Sequence, residues 1–359
     1  MKKKVYLTLQ NGAVFEGYRF GAEGEITGEM VVSTNMVGYV ETLTDPSNFG
    51  QIVAQTFPLV GNYGVAEQDA ESNQAWVSAF VVREYCEIPS NFRSEKSLDA
   101  YLKEQGVIGV YGVDTRELTR ILREKGVMNA RISQKKLSAD EIAKLTEYSV
   151  KDALKAIAVK NSRTYGNDGA NYTVALWNLG GKKSTVNTLV SLGCKVVEMP
   201  TDSTAEEILA TGADGVMISD GPGDPKEWSE QIAEVQKLLG KKPVFGVGLG
   251  HQLVALALGA DTKKMKFGHR GGNQPVKCLE CGKVYISSQN HGYVVISETV
   301  TKGKIGYVNV NDNTCEGIEY EEQNAFTLQF APESCFVGME ENPFYKKFFA
   351  MMEKEKKNA

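Results

Sequence analysis

Pro243-Val244-Phe245-Gly246-Val247-Gly248-Leu249-Gly250-His251-Gln252-Leu253 decides the fold. The apolar run after Pro243 predicts a buried strand, the small residues a sharp turn, and Leu253, Leu256 and Ala257 the inward face of a helix stopped by Gly259. Two chemistries use a strand-turn-helix elbow. A dinucleotide fingerprint needs Gly-x-Gly-x-x-Gly, but His251 stands in its third place and Gly250 falls one residue early. A nucleophile elbow needs small residues on either side of one lifted side chain. Gly246 and Gly250 fit that frame, and the lifted position, 248, is itself a glycine. The elbow has a mount and no nucleophile, and a plain glycine-rich strand-to-helix connection stays open beside it.

Upstream of the elbow, strands and helices alternate. The pattern predicts strands at Val174 to Trp177, Cys194 to Met199 and Gly215 to Ser219, and helices at Ser184 to Leu192, Ala205 to Ala210 and Trp228 to Leu239. Such alternation implies an α/β domain with a mostly parallel sheet and helices on both faces, its ligands at the carboxyl ends of the strands. The loop Asp220-Gly221-Pro222-Gly223-Asp224-Pro225 and the elbow both fall there. After Gly259 the pattern becomes strand-rich, and Phe344, Phe348 and Met352 space a last helix. Residues 161–171 carry no apolar period and read as a linker, which divides the chain into 1–160 and 172–359. In the first part, Val5 to Leu9 and Val14 to Gly17 flank Asn11-Gly12, a hairpin signal. Capping signals at Asp114 to Glu117 and Ser138 to Glu141 open helices, so this part is α+β.

A chain of 359 residues, 42% hydrophobic and 24% charged, is of ordinary globular composition and long enough for two domains. A formal charge of −5 argues against nucleic acid as a partner. Val5 to Leu9 is too short for a targeting core and no stretch approaches a membrane span, which predicts a cytoplasmic protein with reduced cysteines. Cys278 and Cys281 have zinc-knuckle spacing, but no second pair or His pair accompanies them, so no metal is expected and a buried or hairpin thiol pair is the better reading.

Four motifs in order, Ser219 to Pro225, the elbow through Gln252, Phe267 to Asn273 and Ser288 to Gly292, closely resemble the class I glutamine amidotransferase domain of the carbamoyl phosphate synthetase small subunit family. Thr34 to Tyr39, Leu43 to Ser47, Pro58 to Asn62 and Val113 to Arg116 resemble the N-terminal domain of the same family. The resemblance implies a glutaminase that sends ammonia to a large subunit, which makes carbamoyl phosphate from bicarbonate and two ATP, ahead of arginine or pyrimidine synthesis. ATP and Mg would bind that partner, and no cofactor is expected in this chain. Glutamine would be held by Ser47, Gly221, Gly223, Leu249, Gln252, Asn290, Gly292 and Tyr293. The amide of Leu249, with one near Gly223, would form the oxyanion hole.

The departure lies at the reacting atoms. The family pattern puts a nucleophilic Cys where this chain has Gly248 and the triad His where it has Ala331, leaving only Glu333. A thioester mechanism needs a thiolate to attack and an imidazole to move the proton, and these two residues supply neither. His251, His269 and His291 sit inside family motifs, and Cys335 is off the elbow. The expectation is therefore a small chain without glutaminase chemistry, a structural and regulatory partner of an ammonia-using synthetase. The alternative is a non-catalytic module that still captures glutamine as a sensor.

Overall fold

The computed structural model of the chain describes residues 3–150, 153–335 and 342–358. These form two compact units, one running to Ala153 and taking in Lys266–Gly271, the other made of Leu154–Met265 and the residues from Gly272 onward.

The first unit is built on β1 (Lys4–Leu9), β2 (Val14–Gly21), β3 (Ile26–Ser33), β4 (Gln51–Gln55), β5 (Leu59–Val60), β6 (Ala79–Val81), β7 (Glu84–Tyr85), β8 (Ile108–Tyr111) and β9 (Met128–Ser133). The expected hairpin forms, with Leu7 opposite Phe15 and Gly12 at φ +87° in its turn. Seven strands then close a barrel in the order β1-β2-β8-β6-β4-β3-β9, and β5 pairs with β7 apart from it. Closure comes from β1 against β9, where Leu7 faces Ile132. Alternate residues serve two cores, as the two-residue period of a strand requires. Leu7, Val32, Ile52, Val81 and Ile132 join Leu118 and Leu122 of a helix at Thr115–Lys125. Val31, Val53, Phe80 and Val82 join Tyr39 and Leu43, from a helix at Tyr39–Thr44, and Leu98 and Leu102, from one at Leu98–Glu104. The Thr115–Lys125 helix begins where the Glu117 amide donates to Asp114 Oδ1 at 3.0 Å. A helix at Ala139–Lys144 opens with the full reciprocal capping box of Ser138 and Glu141. Lys266 and Arg270 lend this unit their carbonyls, which accept from the amides of Val127 at 2.8 Å and Thr34 at 3.3 Å.

The second unit carries β10 (Arg163–Tyr165), β11 (Tyr172–Trp177), β12 (Cys194–Met199), β13 (Gly215–Ile218), β14 (Val244–Val247), β15 (Thr262–Cys278), β16 (Val284–Val295), β17 (Lys304–Asn309), β18 (Cys315–Tyr320) and β19 (Ala325–Leu328). They form one sheet in the order β10-β12-β11-β13-β14-β19-β18-β17-β15-β16. Its centre is parallel, from β12 through β11, β13 and β14 to β19. Outside that centre β10 pairs antiparallel with β12, and β18 and β17 continue antiparallel from β19. Residues 161–171, read as a linker from composition, thus hold a strand. Polar side chains hid it, for only Tyr165 of Arg163–Tyr165 is even half-buried.

One face of the sheet, with Val174, Leu176, Val196, Met217, Phe245, Phe326 and Leu328, packs on Leu189 of a helix at Lys183–Ser191 and on Phe344, Phe348 and Met352 of one at Pro343–Asn358. Phe245 and Phe326 stack there at 4.3 Å between ring centroids. Leu249–Ala257 lies on the opposite face, pressed so close that a Cβ on Gly250 would overlap the Ile218 carbonyl and one on Gly246 would sit 2.8 Å from the Gly250 carbonyl. Both glycines of the elbow frame are therefore required by helix-sheet contact, whatever the site does.

Candidate amidotransferase site at the elbow

The turn forms at the carboxyl end of β14, next to the carboxyl end of β13. Gly248 caps the Leu249–Ala257 helix with φ +56° and ψ −110°, a backbone that a side chain rarely tolerates. Its amide donates to the Leu328 carbonyl at 2.8 Å, which ties the elbow to β19 and so to the loop that carries Ala331 and Glu333. On its other side the Gly250 amide donates to the Ser219 carbonyl at 3.1 Å. The strand order alone therefore brings Asp220 to Gly223, Gly248 to Gln252 and Ala331 to Glu333 to one edge of the sheet, as the rule for open α/β sheets requires.

The amides around the turn converge on one atom. Leu249 N–H donates to Asp220 Oδ1 at 3.0 Å, and Gly221 N–H donates to the same oxygen at 2.8 Å. The amide that shares an acceptor with Leu249 is thus that of Gly221. Gly223 turns the loop at φ +90°, and a Cβ on Gly221 would overlap the Leu179 carbonyl.

Of the remaining expected ligands to glutamine, Gln252 is buried and donates both amide hydrogens, to the Tyr293 carbonyl and to Gln329 Oε1, each at 2.9 Å. Asn290, Gly292 and Tyr293 are half-buried on β16. Ser47 belongs to the first unit, in a short turn where its amide donates to Asp45 Oδ1 at 2.9 Å and its hydroxyl is buried without a partner.

Glu333, Ala331, Cys335, His251 and His291 each have surroundings of their own. Glu333 Oε1 accepts from the Tyr345 hydroxyl at 2.7 Å. Ala331 donates its amide to the Ser288 carbonyl at 3.3 Å and offers no side-chain base. Burial pushes the Cys335 thiol up to about 12, away from the thiolate a nucleophile needs. His251 is fully buried, its Nδ1 lies 2.7 Å from Thr327 Oγ1, and burial lowers it to about 3, so it is a neutral core residue. His291 is held by the Tyr293 carbonyl at 2.8 Å and by Gln289 Oε1 at 2.9 Å. All six cysteines are free, and the Cys281 amide donates to Cys278 Sγ at 3.2 Å in a hairpin turn.

Comparison with known proteins covers both units. Residues 7–132 match the carbamoyl-phosphate synthase small chain, CPSase domain, and residues 177–351 match glutamine amidotransferase class-I. The carbamoyl phosphate synthase small chain of Clostridium perfringens is 45% identical over 333 residues, which is 92% of this chain and 95% of that one. The chain belongs to the carbamoyl-phosphate synthase small chain family. The small chain of Bacillus caldolyticus is 44% identical over 97% of this chain and 96% of its own. Among solved structures, a glutamine amidotransferase from Thermotoga maritima matches with a TM-score of 0.38 at 17% identity, over 52% of this chain and 84% of that one.

Within this family member, sequence reasoning passed over Asp220. The residue lies inside the Ser219 to Pro225 motif, and its signal is an acidic residue between a strand end and a Gly-Pro-Gly turn, where amides lack partners. No described helix is long and apolar enough to cross a membrane.

Proposed function

We propose that this chain is the small chain of a carbamoyl phosphate synthetase, that it lacks glutaminase chemistry, and that it serves a large subunit fed by free ammonia as a structural and regulatory partner. Membership of the small chain family supports the assembly. The observation that carries the loss of chemistry is the elbow itself, where Gly248 offers no atom to attack an amide carbon. Amide hydrolysis by acyl transfer also needs a base within hydrogen-bond reach of the nucleophile. Ala331 supplies none, and the buried, neutral His251 holds Thr327 instead. Glu333 without an imidazole has nothing to orient, and its bond to Tyr345 gives it a packing role.

The test is carbamoyl phosphate synthesis by the reconstituted complex, with ammonia or glutamine as the nitrogen source. Ammonia supports synthesis, glutamine does not, and glutamate release stays at background, because loss of triad members typically costs factors of about a thousand or more. Glutamate release at an ordinary enzymatic turnover would sink the proposal.

A further inference from the structure

The acceptor shared by the Leu249 and Gly221 amides has a consequence for every ligand of the elbow. Leu249 is the first residue of its helix, so its N–H has no partner within that helix. Two backbone donors at about 2.7–3.1 Å on one oxygen is the arrangement that holds the oxyanion of a tetrahedral intermediate. Here that oxygen is Asp220 Oδ1, at 3.0 Å from one donor and 2.8 Å from the other. A second observation agrees. A Cβ built on Gly248 would overlap Oδ1 and Cγ of Asp220 and lie 2.9 Å from Oδ2, so the carboxylate fills the space of the missing side chain as well. The backbone beneath it is fixed, since Ser219 Oγ donates to the Asp220 carbonyl and accepts from the Leu179 amide, both at 2.8 Å.

We propose that Asp220 is the built-in occupant of the elbow's two-amide cradle and a specificity-determining residue of this site, excluding any ligand that must place a carbonyl oxygen or an oxyanion between Leu249 and Gly221. The inference rests on reading the elbow as an acyl-transfer site. Fixed negative charge stands where that reaction develops negative charge, and a thiol introduced at position 248 would meet the same charge and hold its proton more tightly. Ordinary capping of a turn by an Asp would place one oxygen on one or two amides without filling the elbow's side-chain space.

Two measurements on the full-length chain test this. In the first, Gly248→Cys is compared with Gly248→Cys/Asp220→Asn, and alkylation of the introduced thiol by iodoacetamide at neutral pH is followed by mass spectrometry, with exposed Cys281 as internal control. Removing the charge is expected to raise the rate relative to the control by about threefold or more, since one pKa unit is about tenfold in thiolate. A smaller ratio overturns the proposal. Should the elbow variants fail to fold, hydrogen exchange decides in the natural chain. Asp220→Ala is expected to speed exchange of the Leu249 and Gly221 amides while that of Gly250, bonded to Ser219, keeps its rate. Unchanged exchange at the first two overturns the proposal. Glutamate release judges the proposed function and these two readouts judge Asp220, so either can fail alone.

Discussion

Gly248 and Asp220 act at the residue scale as a pair. A side chain at position 248 meets strained backbone, costing about 1–3 kcal/mol, and also the carboxylate of Asp220. Glycine relieves both, so a glycine at position 248 and the carboxylate of Asp220 are mutually compatible. On the proposed function, restoring chemistry would take more than changing positions 248 and 331. Gly248→Cys with Ala331→His is expected to release more glutamate than the two single variants combined, because triad members act as a unit. Adding Asp220→Asn is expected to raise it further, by about tenfold or more, part of the roughly hundredfold to thousandfold that one oxyanion donor is typically worth. Steady glutamate release across the four variants is the check, and a triple variant no faster than the double one would show that the cradle was never the obstacle. That positions 248 and 331 hold a glycine and an alanine is plain in the sequence alone. The carboxylate in the side-chain space of Gly248 could not be read there, because hydrogen bonds from Leu249 and Gly221 to Asp220 depend on how two loops meet.

At the scale of elements, the helix that carries the elbow also carries a pH switch in its stability. Burial lowers His251 to about 3 in the folded chain, against an ordinary value near 6.5 unfolded. Between those values the unfolded chain binds a proton that the folded chain does not, so stability rises with pH across that window and is lost as pH falls from about 6.5 toward 3. The slope from this one residue approaches about 1.4 kcal/mol per pH unit. Urea unfolding at neutral pH and near pH 5 should show this loss, and His251→Gln should flatten the difference. A variant with the full pH slope would mean that other groups carry it. Elements of this kind were largely legible. Cys194–Met199 and Ala205–Ala210 match their predicted bounds residue for residue, because apolar period, caps and breakers are local signals. Barrel closure was not legible, since Leu7 meets Ile132 across most of the first unit and no local pattern records such a pairing. The region after Gly259 reads as strand-rich and is so, although its pattern does not mark Thr262–Cys278 as one strand of 17 residues.

At the scale of the whole molecule, the two units are not consecutive pieces of chain. A boundary at 161–171 was the natural reading of a polar, glycine-rich segment, yet Lys266–Gly271 returns to the first unit from the middle of the second. That return is structural: Phe267 packs against the barrel cluster, and the carbonyls of Lys266 and Arg270 accept from Val127 and Thr34. Composition could not reveal it, because a short loan of six residues leaves the linker signal where it was. The consequence concerns autonomy. A fragment of residues 1–160 keeps the barrel strands but loses the Phe267 contact and the two backbone bonds. At about 1–2 kcal/mol for a half-buried aromatic and about 1 kcal/mol for each hydrogen bond, the fragment should be less stable than the same unit in the full chain by about 3–4 kcal/mol. Circular dichroism during urea unfolding gives the fragment's midpoint, and hydrogen exchange of barrel amides such as that of Leu7 gives the opening free energy in the full chain. Supplying Lys266–Gly271 as a tethered extension of the fragment should recover part of the loss, whereas Phe267→Ala in that extension should not. Equal stability of fragment and full-chain unit would mean that the borrowed segment decorates the barrel without supporting it.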